Sequence, residues 1–381
     1  MACGDRKTAH GMVPNFWQPN SISYDRTEPP IGSKVLFETY KRWQESWFVE
    51  LLFDDCYDWT QWFFRRRQDA PLGLIVLGAD AIADTTDTPN MQAARYESGL
   101  DNSPMYDGEF YSFNETLQSG HMHLYDVGMA SMLAMELQSL ANLSLTAFNP
   151  PRTAQHASIM AQLKGLQALI QKHHWNEDIG IFANRFSAEY TGQCNASKIV
   201  TGTNCSSGDC CKDGWYNRIS PTSFYPMQSG IATDAQATTM MNKWLMNKDR
   251  FCIAPEGDSA GNSAGCHWGL PSISASDPAF PPLGYWRGFV WGPQVQLTYW
   301  GLQQYPHLPA VVKGRKALAK QMTAMGMNQW HMHHHVCENY NPGFTTQNKG
   351  SDCTGDHFYH WGGLTGFISL LEAGYYENPV V

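Results

Sequence analysis

Apolar residues recur every three to four positions along most of the chain, the spacing that gathers side chains on one face of an α-helix. Phe48, Leu51, Leu52, Trp59, Trp62 and Phe63 predict a helix of about five turns. Pro29 and Pro30, followed by Ile31, Val35, Leu36 and Tyr40, predict a helix with proline in its first turn. Further helices are predicted around Leu124, Val127, Leu137 and Leu140, and around Ile159, Leu163, Leu166 and Ile170. The series continues with Trp291, Val295, Thr298 and Leu302, then Val311, Leu318 and Met322, and ends with Trp361, Leu364, Ile368 and Leu371. Alternating strand patterns are scarce. The run GLIVLG, Gly73–Gly78, is the clearest, and it lacks the glycine spacing and following helix of a nucleotide site.

The connections are long and rich in Gly, Pro, Trp, Asn and Asp, and long ordered loops in a helical domain are usually functional. Two polar insertions, 190–217 and 252–275, read as surface excursions stapled by sulfur. No repeat or linker divides the sequence, which therefore reads as one all-α domain over residues 1–381. A hydrophobic share of 43% with only 16% charged residues excludes a disordered chain. The net charge of −9 leaves no basic field for nucleic acid. No apolar run is long enough to span a bilayer.

Ten cysteines change the picture. Cys194, Cys205, Cys210 and Cys211 crowd the first insertion, Cys252 and Cys266 stand in the second, and Cys337 is followed by Cys353. CSSGDCC is not a paired zinc motif, so disulfides and an oxidising compartment are expected. Asn-x-Ser/Thr sequons at Asn114, Asn142, Asn195 and Asn204 agree with a glycoprotein of the secretory pathway, secreted or in the ER/Golgi lumen, with a signal sequence outside this chain. The 14 Trp and 17 Tyr suit hydroxylated ligands with apolar ring faces, as sugars are.

Four loop segments carry candidate chemistry. GLDNSPMYDGEF presents Asp101 without helical period, although its composition alone reads as a turn. SPTSFYPMQSGIAT contains Tyr225. YWRGFVWGPQ sets Tyr285 beside Trp286 and puts Arg287 between Trp286 and Trp291. CENYNPGFT carries Glu338 and Tyr340 and is followed by FYHWGGLTG with Trp361. A carboxyl group in the first segment and another in the fourth could supply the acid and base that glycosidic hydrolysis needs. Glu97 is the alternative acid. The run HMHHHVCE places His331 and His335 at i and i+4, but no third ligand has fitting spacing, so a solvated cluster and no metal site are expected. Cys337 is expected to pair with Cys353 and pin the turn that carries Glu338. No serine-nucleophile motif is present.

Read in order, ESGLDNSP, SPTSFYP, YWRGFVWGP and ENYNP…FYHWGGLTG resemble the motifs of glycoside hydrolase family 63, and GMVPNFW and TEPPIGSKVLFETY look like its upstream segments. That family includes processing α-glucosidase I and bacterial mannosylglycerate and glucosylglycerate hydrolases, with trehalases as relatives. The resemblance implies an (α/α)6 toroid of six inner and six outer helices, lacking its first helices in this chain. It implies Asp101 as general acid, Glu338 as general base, inversion at the anomeric carbon and no cofactor. A terminal α-glucosyl or α-mannosyl unit is the expected substrate, held by Tyr225, Tyr285, Trp286, Arg287, Trp291, Tyr340 and Trp361. The competing expectation is a catalytically silent carbohydrate-binding or structural homologue within a larger assembly.

Overall fold

The 3.6-residue periodicity becomes nine α-helices among the described residues of the computed structural model: α1 (Gly32–Trp43), α2 (Ser46–Arg66), α3 (Met91–Tyr96), α4 (Val127–Thr146), α5 (Thr153–His174), α6 (Asp234–Met240, prolonged by a π turn over Met241–Leu245), α7 (Gly292–Gln303), α8 (Pro309–His333) and α9 (His360–Glu372). The structure describes residues 11–19, 21–81, 89–108, 110–187, 211–212, 214–253, 266–280, 284–343 and 359–375. Most of both polar insertions, with Cys194, Cys205, Cys210, Asn195 and Asn204, lies outside the described residues, as does Cys353.

Burial sorts the helices into two rings. Helices α4 and α7 are covered on nearly every side, as elements at the centre of a large protein are. Helix α5 buries a single stripe, Ile159, Leu163, Leu166 and Ile170, and keeps polar residues outward. Contacts run α1 to α4, α4 to a 3-10 segment over Pro221–Ser229, that segment to α7, and α7 to α9. The Arg42 guanidinium at the end of α1 reaches the Tyr375 carbonyl beyond α9 at 2.9 Å, which closes the inner ring. Helices α2, α5, α6 and α8 pack around it. The result is the (α/α) toroid expected from the sequence.

Local chemistry differs from the periodic reading in three places. Pro29 and Pro30 stand just before α1 rather than in its first turn. Leu51 lies on the outer face of α2 at 63% exposure, while Val49, Phe53 and Cys56 take the buried stripe. Leu124 belongs to a strand. That strand is part of a small antiparallel sheet in the order Val76–Asp80, Ser119–Tyr125, Asn184–Phe186, Trp215–Tyr216, Cys211–Lys212, with Tyr111–Asn114 also paired to Ser119–Tyr125. Several of these strands have only two to four residues, too few for alternation to show. Cys252 and Cys266 form the expected disulfide of the second insertion.

Candidate active site

The loop that carries Asp101 begins at Glu97, directly after α3. Its side chain is fully buried and accepts the Arg67 Nε–H at 2.7 Å, the Gly78 N–H at 2.8 Å and the Thr27 N–H at 3.1 Å. A carboxylate so engaged cannot deliver a proton to a ligand, which removes the alternative acid. It acts instead as the post on which the loop turns. Gly99 follows at φ +71°, and a Cβ there would stand 3.0 Å from the Pro29 ring, so only glycine suits the bend. Ser98 and Ser103 tie the loop to its own backbone, and the Gln92 amide holds the Asp101 carbonyl at 3.1 Å.

Asp101 is left half-buried at the turn. Burial raises its pKa above the ordinary aspartate value, against the pull of its own backbone N–H and of the Arg26 charge. The segment before α1 adds a carboxyl group that sequence reasoning did not single out. Glu28 is half-buried, accepts the Asn15 amide at 3.1 Å, and has its pKa pushed up to about 7, chiefly by burial and further by the Asp101 charge. The signal was present in TEPP, but an acidic residue before two prolines reads as a turn until its neighbours are known.

Glu338 comes from the other side of the molecule in sequence. Its two neighbours, Cys337 and Asn339, are buried, and Cys337 is disulfide-bonded. Asn339 and Tyr340 pair with Trp291 and Val290 in a short antiparallel ladder. Gly292 and Gly362 let the starts of α7 and α9 meet backbone to backbone: a Cβ on Gly292 would collide with the Trp361 carbonyl, and one on Gly362 with that of Cys337. The half-buried Glu338 therefore projects from a rigid corner. The Tyr285 hydroxyl reaches its Oε1 at 3.4 Å. Burial raises the pKa of this tyrosine, and the charges of Glu338 and Asp101 raise it further. Tyr285 thus stands within electrostatic reach of both carboxyl groups.

The remaining predicted residues divide into those at the site and those beneath it. Trp286 stacks on Trp291 with ring centroids 3.7 Å apart and planes 6° from parallel, and Trp361 meets Trp291 edge-on at 6.0 Å. Trp286 and Trp291 are buried, whereas Tyr285 and Trp361 keep partly open faces. Arg287 grips Asp107 through two hydrogen bonds of 3.0 and 2.8 Å and the Asn102 carbonyl at 3.1 Å. The Trp286 N–H donates to the Asn102 side chain at 2.9 Å. Arg287 is thereby a strut joining the two loops beside Asp101. Tyr225 lies at 2% exposure in the 3-10 segment, and Tyr340 at 1% donates its hydroxyl to the Gly362 carbonyl. Both sit in the support under the site rather than on its surface.

Among the described residues no group of three His, Cys, Asp or Glu is placed to hold a metal ion, and no helix is long and apolar enough to cross a membrane. His331 is exposed in the last turn of α8, and His335 turns its ring to the Val336 carbonyl. The arrangement can present two carboxyl groups, both within reach of Tyr285, to a ligand resting on aromatic side chains.

A family model described as the mannosylglycerate hydrolase MGH1-like glycoside hydrolase domain matches residues 3–361. No curated protein matches the sequence. Among solved structures, a family 63 mannosylglycerate hydrolase from Thermus thermophilus in complex with glucose aligns over 95% of this chain and 84% of its own, with a TM-score of 0.60 and 14% identity. Neutral trehalase Nth1 from Saccharomyces cerevisiae aligns over 93% of this chain and 63% of its own, with a TM-score of 0.56 and 16% identity. At such identities these likenesses establish the fold.

Proposed function

The chain belongs to the mannosylglycerate hydrolase MGH1-like glycoside hydrolases, and from that premise we propose that it is an inverting α-glycosidase in which Asp101 is the general acid and Glu338 the general base. Asp101 donates its proton to the glycosidic oxygen as the bond to the anomeric carbon breaks. Glu338 takes a proton from a water whose oxygen attacks that carbon from the opposite face. The sugar leaves with inverted configuration, and bulk water restores both protonation states. This stereochemistry needs the carboxyl groups about 6.5–9.5 Å apart, with the water between them. Hydrolysis of this kind uses no cofactor.

The observation that carries the reading is the position of Tyr285, bonded to Glu338 and within the field of Asp101. Burial moves the Asp101 pKa upward, the direction that an acid role needs. The Tyr285 hydroxyl, held neutral, supports the base by fixing its orientation. The open faces of Tyr285 and Trp361 fit the apolar face of a pyranose. The likeness to a mannosylglycerate hydrolase holding glucose supports a terminal α-glucosyl or α-mannosyl unit. The Cys252–Cys266 disulfide supports work in an oxidising, secretory compartment.

Aryl α-glucosides, aryl α-mannosides and disaccharides offered to wild type, Asp101→Asn and Glu338→Gln test the proposal. Each substitution is expected to lower kcat by about 10²–10⁴, and proton NMR is expected to show the β-anomer first. Undiminished turnover by Asp101→Asn, or an initial α-anomer, overturns the assignment. A wild type inert on the whole panel favours the silent homologue.

A further inference from the structure

At the far end of the inner helices lies a cavity of about 330 Å³ that the catalytic reading does not use. Helix α7 measures the separation. Trp291, in the aromatic stack of the active site, precedes its first residue, and Gln303, in the wall of the cavity, is its last. A helix of that length spans about 18 Å. The second and third walls come from α1 and from the middle and C-terminal turns of α4.

We propose that this cavity is a second, non-catalytic site for a neutral polyol or monosaccharide. The wall chemistry points to that class. Gln138, Asn142, Gln303 and Gln304 bring primary amides to it. Gln304 already donates to the Trp300 carbonyl at 3.4 Å and Gln303 bonds the Tyr299 hydroxyl, so Gln138 is the amide with donors and acceptor to spare for a hydroxyl-rich ligand. The Gln138 side chain makes no hydrogen bond to another described residue. Phe37 also lines it, with the Lys34 and Lys41 ammonium groups 6.0 and 5.5 Å from its ring centre.

The charged groups are already matched to one another. Lys34 bonds one Glu38 oxygen at 2.5 Å and Lys41 the other at 2.9 Å. The Lys34 ammonium also lies 5.0 Å over the Trp300 ring and within the field of the buried Glu136. Both wall cations are thus held on the one wall carboxylate, Glu38, and neither is left free to select an anion. The cavity is half open, with Lys41, Asn142 and Gln304 exposed at its mouth, and its volume suits a ligand near the small end of the range for binding clefts.

Two methionines allow the test. Met135 lines the cavity, whereas Met105 is buried under the acid loop, four positions beyond Asp101. Full-length protein labelled with ¹³C-methyl methionine is titrated with glucose, mannose and glycerol and followed by methyl NMR. The Met135 signal is expected to shift saturably in wild type and equally in Asp101→Asn. Gln138→Leu is expected to weaken that response by about tenfold, with Gln303→Leu as the second variant should the first not fold.

An unmoved Met135 signal, a shift that never saturates, or an unchanged response in both leucine variants overturns the proposal. A tighter response to inorganic phosphate than to any of the three probes overturns the neutral ligand class. Movement of Met105 without Met135 rejects this site alone and leaves the catalytic reading standing. Movement of Met135 without Met105 supports this site and counts against the catalytic reading.

Discussion

Tyr285 holds its backbone at φ 52°, a conformation that costs a non-glycine residue about 1–3 kcal/mol and persists only where surrounding contacts enforce it. Here the enforcement comes from the Asn102 bond to the next N–H and from the buried Trp286–Trp291 stack. The hydroxyl is thereby aimed at Glu338. A second single-residue effect sits at Glu28. Its pKa of about 7 means that it is neutral in mild acid and charged above neutrality. The charge of either group favours the protonated form of the other, and the two carboxyl groups titrate as a pair. Glu28→Gln removes that charge. The alkaline limb of the kcat/KM profile, set by loss of the Asp101 proton, is therefore expected to move to lower pH, with the acidic limb little changed. A pH profile in which the alkaline limb stays in place refutes the coupling.

Elements are held by contacts that span long stretches of chain. Helix α1 has no side-chain cap of its own at Ile31. Its first free N–H groups, on Ser33 and Lys34, donate instead to the two oxygens of Glu136 in α4, at 2.6 and 2.8 Å. One buried carboxyl group thus caps one inner helix from the body of another. Burial pushes its pKa from the ordinary 4.5 to about 7, with the Ser33 and Lys34 groups opposing. A folded-state pKa raised in this way gives stability that is present in full below pH 4.5 and lost as pH climbs toward 7. Glu136→Gln keeps one acceptor and does not titrate. It is expected to destabilise by about 1–3 kcal/mol in mild acid, and by less at alkaline pH, where the wild type has lost that stability. Urea unfolding at the two pH values measures the gap, and a gap that widens with pH contradicts the cap. The helix itself was legible from Leu36 and Tyr40, but its cap was not, because Glu136 is more than a hundred positions away.

For the molecule as a whole, Arg67 is the joint between the sheet, the segment before α1 and the acid loop. It is fully buried, ion-paired to Glu97 at 2.7 Å and to Asp80 at 3.0 Å, and it lies 4.6 Å from the centre of the Trp62 ring. Burial drives the Glu97 pKa up while Arg67 draws it back. Replacing Arg67 by methionine strands Glu97, with Asp80 beside it, and is expected to cost about 3–5 kcal/mol. Denaturant unfolding reads that loss. Because Glu97 also bonds the Thr27 and Gly78 N–H groups, kcat is expected to fall in whatever fraction remains folded. A variant of wild-type stability and activity rejects the joint.

Seven of the nine described helices, and the two carboxyl groups proposed as acid and base, were legible in the sequence itself, whereas the short helices α3 and α6 were not. Apolar spacing acts over a single turn, and a run such as ESGLDNSP or ENYNP is complete within a few residues. The short strands, the cap on α1, the burial of Tyr225 and Tyr340, the strut made by Arg287 and the inward turn of Glu97 were decided only by the tertiary structure. Each depends on a partner brought near by folding, and neither periodicity nor composition records which distant residue that partner is. The same holds for the polar cavity: its amides come from helices far apart in the chain and line one space only because the inner ring closes.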